Sequence, residues 1–547
     1  MTPDAEFERV AQGFLTDYFE FYPTTGAGLG LHAYDGRAGD YSRPALDAWL
    51  RTLDGWERRL SELPPGGMAG QAAHDAVLIA QAIAQERLRF QVLRDHQRNP
   101  VLWSFPLDVT TYLKRNYAPL PERLRSLTSH LEEIPRFLEE AREHLSEPLA
   151  LPIVETALEI YGGYRSFYAG DLARAAAGAA GTPLHDRFEM ARTAATAALG
   201  SFEAFLSEAK HRATGAFAIG EAGFSAMLRC GEMVDVPLDR LVALGEAELD
   251  RLTEEVREAA GRVAPGAHPR EVMAMLAREH PTEEALIPET RAMLEDLRRF
   301  LIEEEIVTVP GDVRPLVEET PEFARWAFAM MDSAGPFEET ATESYYYVTP
   351  PEPSWPKEQR EEWLTKFDYA TLKDVSIHEA YPGHFVHFLH VRRAPSPAAK
   401  VLTSYSFVEG WAHYCEEMML DAGVDRSPRF HLAQLAEALV RQVRYLAAIS
   451  MHAGEMTVDQ ATGLFVDRAY MEHLTAGREA VRGTFDPGYL NYTLGKFLIR
   501  RLRDDYRTER GAAFSLREFH DRLIGLGAPP VPLARRALLR DASGPIL

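Results

Sequence analysis

The sequence predicts a mainly α protein with a small β element. Three observations carry this. Helical hydrophobic periodicity runs through most of the chain, strand-like segments are few, and the composition is that of a soluble globular protein. The chain has 547 residues, 46% apolar and 26% charged. That length buries a large core without disulfides or metals, and that composition excludes disordered or fibrous classes.

The elements follow in order. Phe7, Val10, Phe14, Tyr18 and Phe21 recur at spacings of three and four, the stripe of an amphipathic helix, which stops at Pro23. The segment 26–41 is rich in glycine and reads as a loop. Helical patterns follow at 44–61, 71–98, 121–145, 153–181, 186–211, 238–262, 269–279 and 283–304. The alanine-rich piece 173–180 stays helical because alanine is the best helix former. Ile306-Val307-Thr308-Val309, ended by Pro310-Gly311, reads as a strand. So does Ser344–Thr349 around Tyr345-Tyr346-Tyr347, ended by Pro350-Pro351, which suits a short edge strand. A proline-rich loop covers 350–356, and helices return at 370–391, 398–422, 428–452, 457–473, 489–508, 515–525 and 532–540. There is no repeat of fixed period and no glycine pattern of a nucleotide-binding loop. We read one continuous domain, 1–547, with an N-terminal helical half (1–304) and a metal-site half (305–547).

Charge narrows the partners. The chain has 59 basic against 82 acidic residues, a net charge of −23. Such a surface repels phosphate backbones and anionic membranes, so neither nucleic acid nor membrane is expected as a partner. Two cysteines, Cys230 and Cys415, exclude a disulfide framework and read as free thiols. The first residues lack a basic stretch followed by an apolar one, and no uncharged apolar run approaches the ~18 residues of a membrane span. These features lead us to expect a cytoplasmic protein.

The chemistry concentrates in His378-Glu379-Ala380-Tyr381-Pro382-Gly383-His384. In a zincin, two histidines four apart share a helix face and bind zinc, and the glutamate beside the first activates water. Here they are six apart. At about 100° per residue they would point roughly 120° apart on a regular helix. Pro382 cannot continue the helix and Gly383 tolerates unusual conformations, so Pro-Gly is expected to loop out two residues and return His384 to the face of His378. A third ligand is expected from the helix-like stretch Ser406–Glu417, where Glu409, His413 and Glu416 share one face. Two histidines and a carboxylate leave a fourth position open, the arrangement of a catalytic zinc site, and Glu416 is placed to hydrogen-bond a ligand histidine. One Zn²⁺ per chain is the expected cofactor; manganese or cobalt would suit the same ligand types.

The blocks Phe14–Tyr22, Pro23, Gly28–Tyr34, His378–His384, Phe407–Glu416 and Pro487–Lys496 together resemble the bacterial family catalogued as domain of unknown function 885. That family looks like a relative of the glutamate-zincin peptidases: the angiotensin-converting-enzyme-like, thimet-oligopeptidase-like and Taq-carboxypeptidase-like enzymes. The two-residue insertion departs from their pattern. The resemblance implies a large helical body with a deep active-site cleft and the β element beside the metal helix. It implies His378, His384 and Glu409 as ligands, Glu379 as general base, and a C-terminal tyrosine at the oxyanion: Tyr492, with Tyr489 in reserve. Further residues come with lesser roles. His413 and His452 would lie near the cleft, the strand around Tyr346 would pair with an extended peptide, and Arg482 or Lys496 would hold a substrate carboxylate. His387 and His390 are either extra ligands or ordinary core residues. The function expected is zinc-dependent hydrolysis of short peptides by a carboxypeptidase, dipeptidase or oligopeptidase. The alternatives are a metallohydrolase of non-peptide amides or esters, and a non-catalytic helical binding protein with a degenerate site.

Overall fold

The computed structural model of the protein describes residues 3–63, 68–321, 325 and 328–547. They form two compact units. One comprises Met1–Ile219 with two later excursions of the chain, Ala334–Thr342 and Ser396–Val401; the other comprises Gly220–Ser333, Glu343–Pro395 and Leu402–Leu547. Residues 220–304, placed with the N-terminal half by composition, thus belong to the same unit as the helices that carry His378, His384 and Glu409.

The first unit is helical. Pro3–Phe21 buries Phe7 and Phe14 against Arg43–Ser61 and Gly70–Arg87. Ser42 caps Arg43–Ser61 by accepting from the Ala45 N–H, and the helix buries Leu46, Trp49, Leu53 and Trp56 at helical spacing. The long pattern at 71–98 breaks into a helix ending at Arg87, a π-helical turn Leu88–Leu93, and a short helix Asp95–Arg98 after a left-handed Arg94. Pro183–Lys210 packs along both Leu120–His144 and Leu151–Ala169. The 334–342 excursion is fixed within this unit: the Phe337 N–H donates to Leu29 O (3.0 Å) and His32 Nε2 lies 2.9 Å from Glu338 Oε2.

In the second unit Pro428–His452 is the central helix, packed on Leu238–Val263, Tyr369–Glu379 and His473–Phe485. Tyr405–Ala422 lies along Asn491–Arg510. The helix Gly220–Glu232, which buries Phe224 and Leu228 four residues apart, lies outside the helical patterns read from the sequence. The small sheet has the order β1-β3-β2, with β1 Leu316–Glu319 parallel and β2 Ala329–Asp332 antiparallel to β3 Tyr345–Val348. Two expectations are corrected. Tyr345–Val348 is the middle strand, so Tyr346 has no free edge and is wholly buried, its hydroxyl 3.3 Å from Ser376 Oγ. Residues 306–309 form no strand, because side chains satisfy their backbone instead. His520 Nδ1 bonds Ile306 O (2.7 Å), Asp521 accepts from the Thr308 N–H (2.7 Å), and His390 Nε2 bonds Thr308 O (2.8 Å). Among the described residues, no helix is long and apolar enough to cross a membrane.

Candidate metal centre

The first ligand helix, Tyr369–Glu379, begins at Asp368, whose carboxylate accepts from the N–H groups of Ala370 and Thr371 (both 3.1 Å). It stops at Glu379, and a new helix starts at His384. Across the break the Gly383 N–H donates to Ile377 O (3.0 Å) and the Val386 N–H to Ala380 O (3.4 Å), both six residues back. A helical bond reaches four residues back. Each bond therefore absorbs two looped-out residues and ties the second helix to the end of the first. The loop is anchored by Trp411 Nε1–H donating to Pro382 O (3.0 Å). Only glycine fits at 383: a Cβ there would stand 1.7 Å from His378 O. The two imidazoles meet edge to face, with ring centroids 4.9 Å apart.

Glu409 arrives on the helix Tyr405–Ala422. The start of this helix is held by a buried carboxylate that sequence reasoning missed. Glu232 accepts from the Ser404 hydroxyl, the Ser406 hydroxyl (2.5 Å), the Ser406 N–H (3.1 Å) and Asn491 Nδ2 (3.3 Å). One turn on, Gly410 faces Gly495 of Asn491–Arg510 so closely that a Cβ on Gly410 would lie 2.4 Å from the Gly495 Cα. Bare backbone at both positions lets the helices that carry Glu409 and Tyr492 pack in close contact.

The ligand atoms converge. Glu409 Oε2 lies 3.5 Å from His378 Nε2 and 3.5 Å from His384 Nε2. Ligands about 2.0–2.1 Å from a tetrahedral zinc are themselves about 3.4 Å apart. Glu409 Oε2 is buried and makes a hydrogen bond with neither imidazole. An orphaned carboxylate oxygen at that spacing from two imidazole nitrogens is a donor set that fits a zinc ion. Burial pushes the His378 imidazole down, but Glu409 and Glu416 more than offset this and raise it to about 10. Burial opposes ionisation of Glu409, yet His384 and His378 hold its carboxyl well below the usual range.

Behind His378 stands a fully buried carboxylate. Glu416 Oε1 takes His378 Nδ1 (2.7 Å) and Arg441 Nη2 (3.2 Å), and Oε2 takes His413 Nδ1 (3.0 Å). This fixes the tautomer of His378 with Nε2 facing Glu409. Burial works against the Glu416 charge, but Arg441 and His413 keep the carboxyl well below normal. Burial and the Lys496 charge push His413 to about 3, so it supports the site as a neutral imidazole. His384 Nδ1 has no partner among the described residues. Asp374 is buried with both oxygens unpartnered, and burial followed by the Glu416 charge drives its carboxyl well above normal. Arg441 and Asp374 were also missed. Asp374 lies four residues before His378 on the same helix face, a signal that could have found it; nothing local marks Arg441.

The site opens on a cleft of about 690 Å³, lined among others by His378, Glu379, Arg444, Arg482, Tyr492 and Ala329. Glu379 accepts the Met331 N–H of β2 (2.9 Å). Tyr492 lies nearly parallel to the His378 ring, centroids 6.3 Å apart, and its oxygen accepts from Arg482 Nη2 (3.4 Å). Four other predicted residues lie away from this opening. Tyr489 is fully buried under Gly483. His452 Nε2 bonds Gly483 O (2.6 Å). Lys496 is buried against Glu417 (2.9 Å), so it is no carboxylate clamp. Tyr346 is interior to the sheet. His387 and His390 bond the carbonyls of Gly527 (3.0 Å) and Thr308 (2.8 Å) and are not ligands.

Comparison with known proteins gives the family and the fold. The profile of the family described as "Bacterial protein of unknown function (DUF885)" matches residues 23–538, so the chain belongs to that family. No curated protein matches it by sequence. A candidate lipoprotein of unknown function from Shewanella oneidensis shares the fold with a TM-score of 0.81 at 23% identity, over 97% of this chain and 99% of that one. A candidate lipoprotein from Colwellia psychrerythraea does so with a TM-score of 0.81 at 15% identity, over 98% and 99%. These descriptions overturn the cytoplasmic expectation. Charge and cysteine count set no address, and proteins of this fold are described as lipoproteins.

Proposed function

We propose that this member of the DUF885 family is a zinc-dependent hydrolase of short peptides, related in mechanism to the glutamate zincins. One observation carries the reading: an orphaned Glu409 Oε2 lies 3.5 Å from both His378 Nε2 and His384 Nε2, all three atoms within 4.8 Å of one another, with Glu379 next after His378. Zinc held by these three residues supplies Lewis acidity and a water of lowered pKa.

The chain's own residues supply the rest. Glu379, at the cleft wall, takes the proton of the attacking water and delivers it to the leaving amine. Its Oε2 accepts the Met331 N–H, which fixes the carboxylate relative to β2. Tyr492 accepts a hydrogen bond from Arg482, so its own hydroxyl hydrogen is free to point into the cleft, where it donates to the oxyanion. Strand addition, expected at β3, is assigned instead to β2. Thr349 N–H bonds Phe328 O (2.8 Å), which sets the alternation of that ladder. Ala329 and Met331 therefore turn their backbone groups outward; the Met331 N–H is taken by Glu379, which leaves Ala329, on the cleft wall, to pair with a peptide.

The test is metal content and peptide hydrolysis on one preparation. Protein purified without added metal is expected to carry about one zinc per chain, lost in His384→Ala. Glu379→Gln should keep the zinc and lose activity by a factor of about 10² or more. Full activity in Glu379→Gln would refute the assignment.

A further inference from the structure

We infer that the cleft carries a carboxylate-binding subsite built on the Lys366 ammonium, which restricts hydrolysis to the C-terminal end of peptides with a free α-carboxylate. This deepens the peptidase reading and rests on it.

The protein carries a net charge of −23, and this cleft is lined by four cationic side chains, Lys366, Arg441, Arg444 and Arg482, beside Asp368, Glu379 and Glu437. The three arginines are committed. Arg441 pairs with Glu416 (3.2 Å) and Glu437 (2.7 Å), Arg444 grips both oxygens of Glu479 (2.7 and 2.8 Å), and Arg482 pairs with Asp486 (3.0 Å). Lys366 differs: among the described residues no carboxylate lies within ion-pair distance of it. Its Nζ sits 4.2 Å from the centre of the Phe328 ring and 5.5 Å from that of Trp363. Aromatic faces hold an ammonium in place without neutralising it, and they displace part of its water. The result is a fixed positive charge still available to an anion.

Its position gives the anion an identity. Phe328 immediately precedes Ala329, the residue that offers outward backbone groups on β2, and Glu379 is bonded to Met331 farther along the strand. From 328 to 331 is about 10 Å of extended chain, at roughly 3.3 Å per residue. An extended peptide along β2 that places its scissile bond at Glu379 therefore reaches the Phe328 end within a few residues. A negative charge required there is the terminal carboxylate of the peptide itself. A substrate continuing past that point would bring a neutral amide to the ammonium and leave the charge unpaired.

The experiment uses the zinc-loaded full chain with pairs of short peptides that differ only in a C-terminal acid or amide. The acid is expected to show kcat/KM at least tenfold higher, mostly through KM, and Lys366→Gln should bring the acid-to-amide ratio close to one. Lys366 is solvent-exposed, so the variant is expected to fold, which circular dichroism checks. Equal cleavage of acid and amide by the unaltered protein, or an unchanged ratio in Lys366→Gln, overturns the subsite. Calorimetric binding of the same pairs to Glu379→Gln separates this from the chemistry. Tighter binding of the acid, lost on adding Lys366→Gln, upholds the subsite even if no peptide is hydrolysed and the peptidase reading falls. Equal binding, or none, overturns it.

Discussion

Replacing Glu416 by glutamine tests whether the buried carboxylate tunes the ligand histidine. Glutamine keeps the volume and one acceptor oxygen, so His378 Nδ1, now 2.7 Å from Oε1, can still be met. What disappears is the carboxylate charge that faces three groups: His378, His413 and Arg441. Loss of a ligand's carboxylate partner costs about 10- to 100-fold in metal affinity, or about 1.4–2.8 kcal/mol. Breaking a buried ion pair costs about 3–5 kcal/mol when the survivor is left alone. Arg441 is not left alone, since Glu437 remains at 2.7 Å. We therefore expect a fall in folding stability of about 2 kcal/mol, below that range. The assay is zinc competition against a chromophoric chelator at fixed pH, beside urea unfolding in excess chelator. Zinc affinity within twofold of the unaltered protein would refute the argument, because it would mean that His378 is not a ligand or that its Nδ1 partner is irrelevant.

Gly383→Ala should abolish zinc retention while leaving overall helicity intact, since its Cβ would stand 1.7 Å from His378 O; metal analysis with circular dichroism checks this. Gly495→Ala should lower stability and activity together, because its Cβ would stand 1.8 Å from Ser406 O, where no side chain can rotate away. Tyr492→Phe should retain zinc and lower kcat by about 10²–10³, the usual cost of one oxyanion donor. Burial pushes His387 and His520 each to about 3, below an unfolded value of about 6.5. The folded chain then binds fewer protons, so this stability is full above about pH 6.5 and is lost as pH falls toward 3, by a few kcal/mol per histidine. Urea midpoints across that range should drop steadily, and a flat profile would contradict it.

Local pattern reached far in this chain where the physics is local. The helix expected at 428–452 is Pro428–His452, because its apolar residues recur at helical spacing and Ser427 caps it. The grouping of His378, His384 and Glu409 was legible for the same reason: the motif carries its own proline and glycine. Long-range satisfaction was not legible. Residues 306–309 look like a strand, but their backbone is paired by His390, His520 and Asp521, distant in sequence. Lys496 lies four residues after Tyr492 on the same helix, yet it points into an ion pair with Glu417 while Tyr492 reaches the cleft. Helix register alone does not separate them. Arg441 and Glu232 act through partners on other helices, and no motif surrounds either.

The break between Glu379 and His384 bears on how such sites are recognised and how they change. The distance that matters between the two histidines is counted in helical hydrogen bonds, not in residues. Bonds from Gly383 to Ile377 and from Val386 to Ala380 skip the insertion, so the imidazoles keep the register of a shorter motif. A search that demands fixed letter spacing passes over this arrangement, whereas one that permits a Pro-Gly detour finds it. The same reasoning makes the detour a tolerant place for length variation. A segment tied off by bonds at its base can gain or lose residues at its tip without disturbing what the base holds, provided glycine keeps the crossing point.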